Sequence, residues 1–143
     1  CGADNHHGGQ LVAVEISPRM VRDLVKLSVR RPGLVPVLGD ARKPEQVAAF
    51  MRGKANWIHQ DLSIADQAET FVKIATSFLV PGGIGILSLK AASERSSEGN
   101  DNTRFQKAER ILMESDLLLQ ERIDLKGLEE QHVVFTCSSS TGH

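Results

Sequence analysis

The sequence predicts an α/β fold, a doubly wound and mostly parallel sheet with an antiparallel hairpin at its C-terminal edge. Short β-branched and apolar runs alternate with amphipathic stretches along most of the chain, as in parallel α/β folds. Acidic residues or a lysine follow four of these runs. The last two runs are separated by too few residues for a helix, so we expect them to pair antiparallel. The length of 143 residues suits a single domain.

The first half of the chain has the clearest helix and strand signals. Ser17 is a good N-cap and Pro18 suits the first helical position, so a helix should begin there. A Pro-Gly pair at residues 32–33 should end that helix. In the third helix, apolar residues recur at spacings of three and four. The elements predicted in this half are strands over 11–16, 34–38 and 56–60 and helices over 18–31, 44–52 and 65–79.

The second half is predicted from its turns and loops. Residues 81–83 (PGG) predict a sharp turn into a strand. Residues 92–102, rich in Ser, Glu, Gly and Asn, are typical of an exposed loop. The elements predicted here are a strand over 84–89, a helix over 103–117 and the hairpin strands over 118–125 and 132–137. The domain should span residues 11–138, between a flexible segment at 1–10 and a tail at 139–143.

Composition and charge narrow the class of protein. A hydrophobic content of 41% and a charged content of 24% are ordinary for a globular protein. No apolar run approaches the roughly 20 residues of a membrane span. Two distant cysteines without metal-ligand spacing indicate a reducing, intracellular compartment and no metal site. Residues 1–58 hold nine Lys/Arg against five Asp/Glu, and residues 59–143 hold eight against thirteen. A free-standing nucleic-acid binder usually carries an overall basic excess, which this chain lacks, so any RNA would have to be presented largely by partners.

The strand ends place four charged side chains at one edge of the predicted sheet, where open α/β sheets bind ligands. Glu15 can accept hydrogen bonds from ribose hydroxyls, and Asp40 with the backbone of Ala41 can read an adenine. Lys90 ends an apolar strand and should form a charged pair with Asp61. Each acid also has a simpler interpretation, as a carboxylate at a helix N-terminus or in a turn. Together they point to an adenosine-containing cofactor such as S-adenosylmethionine.

Five stretches resemble the fibrillarin family in order and approximate spacing. They are VAVEISPR at 12–19, VPVLGDARKP at 35–44, QDL and DQ within 60–67, FL and PGG within 78–83, and SLKA at 88–91. The similarity covers about residues 11–136. It implies a Rossmann-like class I methyltransferase fold and an S-adenosylmethionine-dependent RNA ribose 2′-O-methyltransferase of box C/D guide ribonucleoproteins, acting in rRNA modification.

The resemblance also implies site residues and partners. The cofactor-binding residues would be Glu15, Ile16, Asp40, Ala41 and Asp61. The catalytic residues would be Asp61, Lys90 and His132. The expected partners are guide RNA, target rRNA and a Nop-type scaffold protein, with no membrane association. The location would be the nucleolus in a eukaryote and the cytoplasm in an archaeon.

The chain departs from the family pattern at its start and at Ile64. The family's first strand and Gly-rich turn are echoed only by residues 1–3 (CGA), and the first catalytic lysine of the family set is absent. Ile64 stands where the family has a polar glutamine. We therefore expect the chain, unaided, to bind S-adenosylmethionine poorly, and either a longer natural chain or another segment to fill the place of the first strand. The alternatives are a catalytically silent structural module of a ribosome-assembly or guide-RNA particle and a small-molecule methyltransferase, which the match at 39–44 disfavours.

Overall fold

The computed structural model describes residues 9–91, 100–126 and 131–140. The chain divides into two compact units, Cys1–Gly53 and Lys54–His143. The predicted loop at 92–102 lies mostly outside the described residues, as do most of the segment 1–10 and of the tail.

The first unit contains two parallel strands and two helices. Its elements are β1 (Leu11–Glu15), α1 (Pro18–Ser28), β2 (Leu34–Leu38) and α2 (Pro44–Ala48). The strands pair in register from Leu11 opposite Leu34 to Glu15 opposite Leu38. Val37 and Val47 are the only buried side chains among residues 9–53.

Both helices of the first unit end earlier than predicted. Ser17 caps α1 as expected and accepts a hydrogen bond from the Met20 amide. The helix ends at Ser28 because the next amides bond three residues back, Arg30 N to Leu27 O at 3.0 Å, and form a turn. Gly33, with φ +94°, completes the reversal into β2. Two similar turn hydrogen bonds follow α2, which ends at residue 48 rather than 52.

The second unit is a four-stranded mixed sheet with two helices. Its elements are β3 (Ala55–Gln60), α3 (Gln67–Phe78), β4 (Leu79–Lys90), α4 (Asp101–Glu114), β5 (Leu117–Lys126) and β6 (Gln131–Ser139). The strand order is β3-β4-β6-β5, with β3 parallel to β4 and both other pairings antiparallel. The predicted antiparallel hairpin is confirmed. Helix α3 lies within its predicted range, 65–79. Helix α4 begins two residues earlier and ends three residues earlier than predicted.

The Pro-Gly-Gly stretch is part of a strand, so the prediction of a sharp turn was wrong. Residues 81–83 lie inside β4, where the register jumps from Ala55 opposite Leu79 to Trp57 opposite Ile84. The extra residues form an irregular bulge, in which Gly82 adopts φ +77°. A Cβ at Gly83 would lie 2.9 Å from a backbone carbonyl oxygen, so both glycines fit the bulge.

The hydrophobic core of the second unit lies between its sheet and the two helices. Phe71 and Leu112 from the helices, and Leu87, Leu89 and Phe135 from the sheet, are completely buried. This packing anchors the strand ends that carry the charged residues. Among the described residues no strand pairs with the free edge of β1 or with that of β3. None of the described helices has the length and apolar character needed to cross a bilayer.

Candidate active site

In the first unit, the ends of β1 and β2 bring together the residues predicted to bind adenosine. The amide of Gly39 donates to the Glu15 carbonyl at 3.1 Å, which holds the two strand ends side by side. The carboxylate of Glu15 folds over the start of α1, where its Oε1 accepts hydrogen bonds from the amides of Ile16 and Ser17, both at 3.1 Å. One carboxylate oxygen of Glu15 therefore has the simpler role considered above, that of an acceptor at a helix N-terminus. The same two hydrogen bonds fix the orientation of the carboxylate.

Asp40 is held by a neighbouring arginine that the sequence reasoning did not consider. Its two carboxylate oxygens accept from Nε and Nη2 of Arg42 at 2.9–3.2 Å, and Oδ1 also accepts from the Arg42 amide. The side-chain hydrogen bonds from Arg42, with its backbone bond, lower the pKa of Asp40 to about 2. The spacing Asp-x-Arg was visible in the sequence and could have predicted this pair.

In the second unit, the predicted charged pair between Asp61 and Lys90 is present. Asp61 follows the last residue of β3, and Lys90 is the last residue of the parallel neighbour β4. Their side chains meet with Lys90 Nζ 3.0 Å from Asp61 Oδ1. The lysine side chain is 28% exposed and the aspartate 50%, so the pair opens to solvent and to anything that binds at this edge.

His132 lies directly opposite Lys90 on the antiparallel strand β6. Residues opposite each other in such a ladder have Cα atoms only about 4.5–5.5 Å apart. Leu89 and Val133, which pair next to them, are buried in the core and fix the backbone on both sides. The second unit therefore brings Asp61, Lys90 and His132 to one edge of its sheet.

Gln67 is the residue at this edge that sequence reasoning missed. It is fully buried at the first position of α3. Its side-chain amide pairs with the backbone of Lys90 in both directions, Nε2 donating to the Lys90 carbonyl and Oε1 accepting from the Lys90 amide, each at 3.0 Å. Buried Gln60 donates to the Gln67 carbonyl at 2.8 Å. The Gln67 side chain thus holds the backbone of Lys90 as a neighbouring strand would. Its sequence signals were a glutamine at a helix start and its place in the DQ stretch of the family resemblance.

A second polar pair lies further down the same strands. His59 Nε2 is 3.0 Å from the hydroxyl of Ser88, and the His59 ring is tilted against the ring of Trp57 at 6.0 Å between centroids. Trp57 is 49% exposed. Ile64, at the position where the family has glutamine, is a half-buried aliphatic side chain that offers no hydrogen bond.

Comparisons with known proteins identify the family. The family model described as Fibrillarin matches residues 5–141. The fibrillarin-like rRNA/tRNA 2'-O-methyltransferase of Methanococcus voltae is 33% identical over 133 residues, which is 93% of this chain and 58% of the relative. The protein with the same description from Methanocaldococcus jannaschii is 32% identical over 133 residues, 57% of its length.

Solved structures agree with the sequence match. Methanococcus jannaschii fibrillarin, a pre-rRNA processing protein, has a TM-score of 0.82 and 30% identity, covering 94% of this chain and 57% of that one. Aeropyrum pernix fibrillarin with natively bound S-adenosyl-L-methionine has a TM-score of 0.74 and 26% identity, with 90% and 55% covered. The N-methyltransferase NodS of Bradyrhizobium japonicum, at 16% identity and a TM-score of 0.67, shows the class I methyltransferase fold alone.

The chain spans a little over half the length of the curated relatives that it matches. The matched part contains both units described above, because the family model begins before β1 and ends after β6. The chain belongs to the fibrillarin family.

Proposed function

We propose that the chain is part of an S-adenosylmethionine-dependent RNA ribose 2′-O-methyltransferase that acts in a guide-RNA particle on rRNA. The observation that carries this proposal is the arrangement of Asp61, Lys90 and His132 at one sheet edge. The ion pair is made (3.0 Å), and the histidine is in register with the lysine. Membership of the fibrillarin family supports the reaction type, since the relatives are described as rRNA/tRNA 2'-O-methyltransferases.

The first unit fits the adenosine part of the cofactor. Glu15 has a carboxylate fixed in place at a strand end, suited to accept from ribose hydroxyls. Ile16 beside it is 62% exposed and offers an apolar surface to an adenine ring. Asp40 and the backbone of Ala41 would read the ring edge, for which Asp40 has to share its oxygens with Arg42. In the second unit, Asp61 would lie at the methionine end. When bound, the cofactor supplies an electrophilic methyl group on a sulfonium.

The residues of the second unit would handle the substrate hydroxyl. Lys90 Nζ would be the acceptor of the ribose 2′-hydroxyl proton. Asp61, 3.0 Å away, holds that ammonium in place after the transfer. His132, half-buried opposite Lys90, orients the target ribose from the neighbouring strand. The substrate is RNA because the 2′-hydroxyl is itself the nucleophile.

The proposed partners are guide RNA, target rRNA and a Nop-type scaffold protein. The net charge of −1 supports a role for partners, because few counterions would be released when such a chain binds RNA alone. The particle would be nucleolar in a eukaryote and cytoplasmic in an archaeon, and the relatives named above are archaeal.

A specific observation favours a second candidate, a catalytically silent fibrillarin-like module of a ribosome-assembly or guide-RNA particle. The half-buried Ile64 removes a polar contact that the resemblance places beside the cofactor. A hydrogen bond to a charged group is worth about 1.5–3 kcal/mol, so its loss lowers affinity about ten-fold or more.

Calorimetric titration with S-adenosylmethionine separates the two candidates. The titrated proteins are the 143-residue chain and a chimera that adds, ahead of residue 1, the N-terminal part of the Methanocaldococcus jannaschii relative. We expect weak or no binding by the chain and micromolar binding by the chimera, together with methyl transfer to a guide-directed RNA. Ile64→Gln in the chimera should tighten binding about ten-fold. A folded chimera that binds no cofactor would refute the enzyme and support the silent module.

A further inference from the structure

Helix α1 carries a row of basic side chains along its outer surface. The row, named here the α1 basic stripe, consists of Arg19, Arg22 and Lys26 on the helix and of Arg30 in the turn that follows it. Spacings of three and four residues keep the three helical positions within roughly 60° of one another around the helix axis. The half-buried side chains of α1, on the helix side that packs on β1 and β2, lie opposite the stripe: Val21, Leu24 and Ser28.

The charges of the stripe are exposed and are not neutralised by the rest of the described chain. All four side chains are exposed, and α1 has no buried residue at all. Within residues 9–91, 100–126 and 131–140 none of the four forms an ion pair, in contrast to Arg42, which Asp40 holds. From Pro18 to Arg31 the chain has five cations against one carboxylate, Asp23. The stripe therefore remains available to an external anion.

The position of the stripe relates it to the candidate site. Helix α1 begins at the carboxyl end of β1, so Arg19 lies four residues after Glu15. From there the helical part of the stripe continues away from that edge for seven residues, about 10 Å along the helix, and Arg30 follows in the turn. An extended polyanion that follows the stripe would reach the edge where Glu15 and Asp40 lie.

We propose that the α1 basic stripe binds the phosphate backbone of the RNA, a role that rests on the proposed function and assigns a surface to it. Arg and Lys contacts with phosphates fix the position and orientation of a nucleic acid without reading its sequence. The second unit holds nine Lys/Arg against thirteen Asp/Glu, so it repels RNA as a whole, whereas the first holds eight against five. The stripe aligns RNA that the particle presents and does not capture it tightly alone.

Salt-dependent RNA binding by the 143-residue chain tests this proposal without cofactor or methyl transfer. The probe is a fluorescein-labelled oligouridylate of 12 nucleotides, followed by anisotropy between 25 and 200 mM KCl. Four phosphate contacts on a single strand give a slope of log K against log salt of about −3. Lys26→Gln/Arg30→Gln should reduce the slope by about 1.4 and weaken binding about 25-fold at about 0.1 M salt. The surface changes should leave the thermal unfolding midpoint unchanged.

The matched control removes two exposed cations from the second unit. Lys107→Gln/Arg110→Gln in α4 has the same change in net charge and should keep the slope of the parent chain. Equal slopes for the two double variants would overturn the proposal, because the effect would then come from net charge alone. Displacement of the oligouridylate by polyglutamate at equal charge concentration would also overturn it, in favour of an acidic protein partner. The RNA-binding measurement does not require cofactor binding. Failure of the proposed function would therefore appear in the calorimetric titration and not in the salt dependence measured here.

Discussion

Replacing Gln67 by leucine should destabilise the second unit and loosen the backbone of Lys90. The Gln67 side chain is completely buried and makes two hydrogen bonds of 3.0 Å to the Lys90 amide and carbonyl. Leucine fills a similar volume but leaves both backbone groups without this partner, at a cost of about 1–3 kcal/mol each. After allowing for the apolar gain of leucine, we expect the free energy of unfolding to fall by about 3 kcal/mol.

The isosteric variant Gln67→Glu gives a sharper signature than the leucine variant. A protonated glutamic acid can still donate to the Lys90 carbonyl, whereas a carboxylate would face that carbonyl with a negative charge. Burial should raise the pKa of the introduced carboxyl in the folded state above its unfolded value of about 4.3. The folded variant then binds more protons than the unfolded one. Its stability relative to the parent chain is therefore highest below about pH 4.3 and falls by about 1.4 kcal/mol per pH unit up to the folded-state pKa.

Urea unfolding followed by tryptophan fluorescence measures both effects. The chain has one tryptophan, Trp57 in β3, so the signal reports the unit that contains Gln67. Gln106→Leu, at an exposed position of α4, is the matched control and should change the free energy of unfolding by less than about 0.5 kcal/mol. The reasoning fails if Gln67→Leu is as stable as this control, or if Gln67→Glu follows the pH dependence of the parent chain.

Three further predictions concern the charged residues and the buried thiol. Lys90→Ala in the chimera should lower the rate of methyl transfer at least about 100-fold while cofactor affinity stays within a few-fold. The control variant Lys107→Ala should change neither quantity. Turnover by Lys90→Ala at the rate of the parent chimera would contradict the catalytic role of Lys90. Arg42→Ala should return the pKa of Asp40 from about 2 toward 3.8, as followed by carboxyl NMR shifts. In the parent chain, the stabilisation from this pair is present above about pH 4 and is lost as the pH falls toward 2. An unchanged titration of Asp40 in the variant would contradict this. Burial raises the pKa of the Cys137 thiol to about 11. When the other cysteine is replaced by serine, a thiol reagent at pH 8 should therefore react only with the unfolded chain. Rapid reaction of the folded chain would contradict this.

Features that depend on neighbours in sequence were predictable. The Ser17 cap and the strands that end at Glu15, Leu38, Gln60 and Lys90 follow from local patterns, and the structure has them, in two separate sheets. The pair between Asp61 and Lys90 also followed, because parallel strands end at the same edge. The roles assigned to these residues stay predictions.

Features that depend on the exact register of distant strands or on a buried side-chain contact were not predictable from the residues alone. His132 meets Lys90 only through the antiparallel register of β4 and β6, which joins positions 42 residues apart, and it was chosen through the family resemblance. Gln67 is buried because its partner is the backbone of a residue 23 positions away, so no local pattern distinguishes it from an exposed polar residue. The Pro-Gly-Gly stretch has turn chemistry, but the pairing of its flanks with β3 keeps it within a strand.

The two units differ in how firmly each holds its own candidate residues, and this difference indicates which of the proposed roles is the more sensitive to mutation. Lys90 lies between fully buried Leu89 and buried Ala91, and Val133 next to His132 is 1% exposed, so the sheet edge that carries Lys90 and His132 is anchored in the core. In the first unit α1 has no buried residue, and Glu15 and Asp40 are held by local hydrogen bonds to their own neighbours. Small changes in packing should therefore perturb the proposed adenosine-binding residues before they perturb the residues proposed to face the substrate. A fibrillarin-like chain could therefore lose cofactor binding and still keep the sheet edge of its second unit intact. Such a loss would turn the proposed enzyme into the proposed silent module.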